Sequence, residues 1–417
     1  MAGDKKMSLN RVVITGRGAV SPYGLGVKEL VENCWAGKSA VRHMDNWRTI
    51  QGLGSYLAAP VPPFNVKKLL PRVVRRTMGD MAMYATLATR EAVQEAGFSE
   101  RQLKSGEIGV SIGSTTGSPA EYDNLYREFL PTQSIESIKA GMFFKIMGHS
   151  CAANVMAALE IQGEQWAPTS ACTSSAQAIG LGYLLVSQGR QRAMICGGAD
   201  EVHHTVTMVF DIIRAASHNN NKPTQSPRPF DSSRDGVVCG GGSGILVLED
   251  LDSALARGAE IYGEITGFGH AGDPNHIANP SSDAMAGVMA AAMQEAGIEK
   301  DKVDYVNAHA TGTEQGDIAE AEAIGLTAGP DIPVSSLKGH FGHTLGASGA
   351  LESILVLEMM QRNEILPTLN LEEVDQGCKG INLITKTTPS QVRTVVKNNF
   401  ALGGVNVAIV FEKWSGA

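Results

Sequence analysis

A chain of 417 residues, 43% hydrophobic and 19% charged, has enough apolar mass for one large core or two and reads as a globular protein. Its formal net charge of −8 excludes a general nucleic-acid binder, because phosphate backbones select basic surfaces. No apolar run of about 18 residues offers a membrane span, and the opening Met-Ala-Gly-Asp-Lys-Lys lacks the apolar stretch of a secretory signal. Met7 offers a second start. Six cysteines, at 34, 151, 172, 196, 239 and 378, show no Cys-x-x-Cys and no paired spacing. They argue against a disulfide framework or zinc ribbon and for a reducing, cytoplasmic setting.

In chain order, Arg11 to Gly16 predicts a buried strand that runs into a turn-rich segment. Gly16-x-Gly18 begins like a dinucleotide fingerprint, but Ser21 stands where the third glycine belongs. Gly37-Lys38-Ser39 echoes a phosphate loop, with Glu32 in place of its first glycine. Both motifs are rejected. Lys67, Lys68, Arg72, Arg75 and Arg76 form a basic run, which by itself reads as a solvated face, before a helix that stops at Gly97. Ile108 to Gly113 predicts a strand. Beyond it, Met142, Phe143, Phe144, Ile146 and Met147 suit plain core or the wall of a pocket.

Pro168 to Gly180, Pro-Thr-Ser-Ala-Cys-Thr-Ser-Ser-Ala-Gln-Ala-Ile-Gly, sets Cys172 among small residues where a turn becomes a helix. The positive end of that helix favours a thiolate, which attacks carbonyls. A lone cysteine also reads as core. A strand then leads to Asp200, Arg228 to Gly236 predicts an ion-pair loop, and Gly244 to Glu249 another strand.

The second half repeats the first. Ala92-Val-Gln-Glu-Ala-Gly97 returns as Ala292-Met-Gln-Glu-Ala-Gly297, Ile14-Thr-Gly-Arg-Gly as Ile265-Thr-Gly-Phe-Gly, and Gly244 to Glu249 is echoed by Val407 to Glu412. Two duplicated βαβ-rich halves follow, 8–258 and 259–413, with the helix after Cys172 matching the one entered at Thr344 to Leu351. Val306 to Thr313 and Ser335 to Ala350 then place His309 and His343 in small-residue loops just past probable strands. His340 and His343 have metal-ligand spacing but no third ligand, so no metal is expected.

With Cys172, His309, Lys338, His343 and the glycine-rich Asn399 to Asn406 in this order, the chain resembles the β-ketoacyl-acyl carrier protein synthases of the elongating type I/II, over Arg11 to Phe411. The resemblance implies a thiolase-like α/β fold with an α-β-α-β-α layered core. It also implies a decarboxylating Claisen condensation in fatty acid, polyketide or aryl polyene elongation. Cys172 would carry the acyl group, while His309 and His343 stabilise the enolate left by malonyl decarboxylation. Lys338 would pair with Glu352, which argues against Lys338 as a general base, and backbone amides of Cys172 and Leu402 would form an oxyanion hole. Phe400 supports the same loop. Thr311 and Thr313 match the threonines that bind the phosphopantetheine arm, and Arg72, Arg75 and Arg76 the carrier-protein docking surface. No cofactor of its own is implied, since phosphopantetheine arrives on the acyl carrier protein. The implied assembly is a homodimer, or a heterodimer with a related ketosynthase or chain-length factor.

One departure stands out: Asn-Ser-Phe-Gly-Phe-Gly-Gly-Thr-Asn is usual in elongating synthases, where this chain has Asn398-Asn-Phe-Ala-Leu-Gly-Gly-Val-Asn406. Leu402 replaces the gating aromatic and Ala401 a hinge glycine, so chain preference does not carry over. The alternatives are a non-catalytic chain-length partner, which typically lacks the cysteine, and a coenzyme A-dependent thiolase, which generally has a cysteine where His343 stands.

Overall fold

A computed structural model describes residues 9–274, 277 and 279–416; Met7, and residue 8 with which the predicted first half begins, lie outside them. Strands β1 (Val12–Ser21), β2 (Ile108–Gly113), β3 (Gln165–Trp166), β4 (Ala193–Asp200) and β5 (Gly242–Asp250) come before residue 258. After it come β6 (Gly263–Gly272), β7 (Tyr305–Asn307), β8 (Pro333–Ser335), β9 (Asn382–Leu383), β10 (Thr394–Phe400) and β11 (Val405–Glu412). Together with the short strand Gly24–Leu25 on β1, they make a 12-stranded sheet in the order β9-β8-β7-β10-β11-β6-β1-β5-β4-β2-β3. Apart from the edge strand β9, the order mirrors itself about the β6/β1 join. In each half a parallel pair (β2/β4, β7/β10) is followed by two antiparallel steps (β4/β5/β1, β10/β11/β6). The halves join where Val12, Val13 and Ile14 pair with Ile265, Glu264 and Gly263.

The duplication extends to atomic detail. Helices α1 (Asp80–Ala96) and α3 (Ser282–Ala296) both end on a left-handed glycine, Gly97 at φ 74° and Gly297 at φ 66°. Each lies on the outer face of its half through a Gly-x-Gly of the first strand. A Cβ on Gly16 would come within 2.2 Å of the Ala92 carbonyl oxygen, and one on Gly267 within 2.1 Å of that of Ala292. The discarded dinucleotide-like glycines therefore exist for close helix–strand contact. Thr15 Oγ1 donates to Glu249 at 3.0 Å and Thr266 Oγ1 to Glu412 at 3.1 Å, the same bond in both copies.

Between the halves lie α2 (Ser174–Ser187) and α5 (Ser348–Arg362), each touching strands of both. A helix with apolar residues on most faces suits that middle layer; α2, Ser-Ser-Ala-Gln-Ala-Ile-Gly-Leu-Gly-Tyr-Leu-Leu-Val-Ser, has them. Small residues bring the pair close. A Cβ on Gly349 would stand 2.8 Å from the Ala176 nitrogen, and the Ala350 N–H donates to Ser175 Oγ at 3.1 Å. The α-β-α-β-α layering is present as expected. No helix among the described residues is long and apolar enough to cross a membrane. The loop at Arg228–Gly236 is an ion-pair hub: Arg228 meets Asp231 at 3.1 Å, and Arg234 meets Asp375 at 3.0 Å.

Candidate active site

Both middle-layer helices are entered through one 3₁₀ turn whose first residue is held in the left-handed region, Ala171 at φ 48° before Ala171–Thr173 and Leu345 at φ 53° before Leu345–Ala347. A side chain there is strained, and such strain persists only where the surroundings fix it. The turn presents Cys172 at the head of α2. Strand β7 delivers His309 to the same end, and the loop after the short helix Lys338–Phe341 delivers His343, tied to the first half by its N–H donating to the Val238 oxygen at 2.8 Å. A ligating atom from each of the three side chains lies within 4.8 Å of the other two. The imidazole rings are 5.2 Å apart at 85°, and Phe400 stands 6.4 Å from His309 in an edge arrangement.

Burial determines the charge states. It pushes the Cys172 thiol up to about 12, while Lys338 pulls the other way. The thiolate expected from the helix terminus is therefore corrected: Cys172 rests as a thiol, because loss of water around the sulfur outweighs the helix end. Burial, with Lys338 and Lys397 adding to it, holds both His309 and His343 far below the usual imidazole range, so both rings are neutral. Neither ring nitrogen of His343 has a hydrogen-bond partner among the described residues, so the ring is not committed to another protein group.

Two fully buried lysines flank one carboxylate. Lys338 pairs with Glu352 Oε1, and Lys397 with Glu352 Oε2 at 2.6 Å, all three side chains at 0% exposure. Lys397, Asn399, Asp317 and Glu320 were not found by sequence reasoning. A lysine directly after Val395 and Val396 in the strand Thr-Val-Val-Lys-Asn-Asn-Phe was the available signal for the first. Glu320 accepts from the amides of His309 at 2.8 Å and Ala310 at 2.6 Å, and Asp317 accepts from Gly312 at 3.1 Å. These carboxylates of α4 (Glu314–Thr327) clamp the histidine loop, where the sequence shows only an acidic helix start.

Thr311 and Thr313 are half-buried with hydroxyls 3.2 Å apart, and Leu402 is 42% exposed in the turn between β10 and β11. Arg72 and Arg76 are exposed and Arg75 is half-buried. Phe143 and Phe144, read as core or pocket wall, are 62% and 46% exposed. His340 is buried and turned to the Pro367 oxygen at 3.2 Å, not to His343.

Cys172, His309 and His343 are donor types that suit zinc, yet Lys338 and Lys397 already set a positive field there that a cation would have to oppose. Asp123, His203 and His204 also converge within 4.8 Å, but Arg127 holds Asp123 at 2.8 Å.

The sequence matches two family descriptions, "Beta-ketoacyl synthase, N-terminal domain" over residues 9–254 and "Beta-ketoacyl synthase, C-terminal domain" over residues 262–372. It is 34% identical over 411 residues to a 3-oxoacyl-[acyl-carrier-protein] synthase 1 of Haemophilus influenzae, covering 98% of this chain and 100% of that one. Among solved structures, a beta-ketoacyl synthase from Burkholderia phymatum STM815 superposes with a TM-score of 0.94 at 40% identity, covering 97% of this chain and 100% of the other. The ishigamide ketosynthase/chain length factor superposes at 0.91 and 30% identity, covering 98% and 100%.

Proposed function

The chain belongs to the beta-ketoacyl synthase family, and from that membership we propose how its residues carry the reaction. It joins an acyl thioester to malonyl-acyl carrier protein by decarboxylating Claisen condensation, giving a 3-oxoacyl-acyl carrier protein. The observation that supports the assignment of roles is the buried convergence of Cys172, His309 and His343 within 4.8 Å.

In the first half-reaction Cys172 Sγ attacks the incoming thioester carbonyl; its proton ends on the departing pantetheine sulfur, relayed by a neutral imidazole. The acyl group is then held as a new thioester. In the second, the malonyl C–CO₂ bond breaks and the electron pair moves onto the thioester oxygen as an enolate. His309 and His343, neutral and so able to donate, stabilise that oxygen. The enolate carbon attacks the acyl-Cys172 carbonyl, a C–C bond forms, and the Cys172 sulfur leaves as a thiolate that takes one proton from solvent to return to the resting thiol. Lys338 holds Glu352 and keeps both imidazoles uncharged. No cofactor of the chain's own enters; the phosphopantetheine arm comes on the carrier, past Thr311 and Thr313.

For docking, Lys67, Lys68, Arg72 and Arg76 form an exposed basic face around Val73, which is 67% exposed, and that suits an acidic carrier despite the negative net charge. We further propose a dimer, homo or hetero. The edge strand β3 is exposed, and Ile135, Ile212 and Phe143 project at 74%, 72% and 62% exposure. The six cysteines are all unpaired, which supports a reducing cytoplasm. The halves 8–258 and 259–413 supply nucleophile and histidines respectively.

The test is intact-mass measurement after mixing with an acyl carrier thioester, alongside release of CO₂ from malonyl carrier. An acyl adduct is expected on the wild type and not on Cys172→Ser. His309→Ala and His343→Ala should each be acylated but lose decarboxylation. An adduct that survives Cys172→Ser, or unchanged decarboxylation in both histidine variants, removes the assignment.

A further inference from the structure

A lysine ammonium has three N–H donors and no acceptor, and Lys397 uses all three: Glu352 Oε2 at 2.6 Å, the Asn398 oxygen at 2.9 Å and Asn399 Oδ1 at 2.6 Å. Whatever atom of Asn399 faces that ammonium must therefore be its oxygen. The opposite end is then the NH₂ group, which stands 3.4 Å from His309 Nδ1. An NH₂ can only donate, so Nδ1 must accept, and a neutral imidazole that accepts on Nδ1 carries its proton on Nε2. An imidazolium, or the other tautomer, would set N–H against N–H.

We propose that Lys397 is a positioning residue for decarboxylation, which through Asn399 locks His309 in the tautomer with its proton on Nε2, the nitrogen left to donate to the enolate oxygen. The proposal rests on the enolate role given to His309 above. It also explains a departure in the sequence. Elongating synthases usually have serine at the position of Asn399, and a hydroxyl, which can donate or accept, would not dictate the tautomer in this way; an amide pinned by a lysine does. Burial of Lys397 at 0% exposure keeps water from competing for Asn399, and the neutral state of His309 is what makes its tautomer matter.

Two measurements test it. In ¹⁵N NMR of histidine-labelled wild type, with His309→Ala used to assign the signal, His309 should show a protonated Nε2 and a bare Nδ1. A proton on Nδ1 overturns the proposal. In Asn399→Asp, nearly identical in shape, a carboxylate faces Nδ1 and can only accept. The single His309 proton should move from Nε2 to Nδ1, and kcat for malonyl decarboxylation should fall about 10²–10³-fold, the loss typical of one oxyanion donor, with KM for malonyl carrier little changed and the Cys172 adduct still forming. Decarboxylation within threefold of wild type overturns the relay. If His309→Ala is also unimpaired, the enolate role itself has failed; if His309→Ala is inactive and Asn399→Asp is not, the relay alone has.

Discussion

Glu352→Gln removes the single carboxylate between two buried ammonium groups while keeping the side chain's shape. The glutamine oxygen can accept from one lysine, but its NH₂ then faces the other, donor against donor. Removing one partner of a buried ion pair costs about 3–5 kcal/mol, because the remaining charge stays desolvated. At about 2.1 cal/mol/K per residue, 417 residues correspond to about 0.9 kcal/mol/K, so Tm should drop by about 3–6 °C. The pH dependence carries a sign. Burial holds Lys397 down at about 8, below the roughly 10.4 of an unfolded lysine. A depressed lysine lets the unfolded chain bind more protons, so its contribution to stability rises with pH across that window. Without Glu352, Lys397 falls further, and the variant's deficit should be largest near pH 5 and shrink as pH rises toward about 8. On the acid side, Glu352 is held below its ordinary value despite burial, by Lys338 and Lys397. Its contribution is present above about pH 4.5 and lost as pH falls through its folded value, a loss the variant lacks. Thermal melts of both proteins from pH 4 to 9 give the comparison. A deficit under about 1 °C, or one that does not change with pH, would refute the reasoning that the triad is a tightly coupled buried unit.

Gly16→Ala and Gly267→Ala should each cost about 1–3 kcal/mol in denaturant melts, by overpacking α1 and α3 against their strands; a Gly16→Ala protein as stable as wild type would remove the close-approach account. Replacing Arg72 and Arg76 together by glutamate should raise KM for malonyl carrier about tenfold and leave that for a malonyl-coenzyme A substitute unchanged. Equal effects on both substrates would show that the basic face does not dock the carrier.

The duplication was legible because its signals are local and steric. Glycine is demanded where a helix carbonyl comes within about 2 Å of a would-be Cβ, and again where a helix ends in the left-handed region, so Ile-Thr-Gly-x-Gly and Gln-Glu-Ala-Gly recur whatever else has drifted. Cys172, His309 and His343 were visible because small residues crowd around them. Among the supporting charges the Lys338–Glu352 pair came only with the family resemblance, and Lys397, Asp317 and Glu320 were not seen at all. Lys397 lies in a strand whose neighbours are Val395 and Val396, and nothing in its spacing to Glu352 reveals that the two meet across 45 residues. The thiol's resting state was misjudged for a related reason. Sequence shows the helix end that would favour a thiolate, but not the burial that opposes it.

The two copies also explain why there is one nucleophile and not two. The turns Ala171–Thr173 and Leu345–Ala347 are equivalent, each led by a left-handed residue, so Gly346 is the counterpart of Cys172. In the second copy the space a side chain would occupy is taken: a Cβ on Gly346 would stand 2.6 Å from Asp200 Oδ2 and 3.0 Å from the Thr115 nitrogen. The Gly346 N–H instead donates to Asp200 at 2.6 Å and to Thr115 Oγ1 at 3.0 Å, which binds the head of α5 to the end of β4. Anchoring the second turn in this way excludes a side chain from it, and His343 enters from the loop just ahead. One fold repeated twice thus yields a sulfur from the first copy and imidazoles from the second, facing each other because the helices behind them pack through Ser175, Ala176, Gly349 and Ala350.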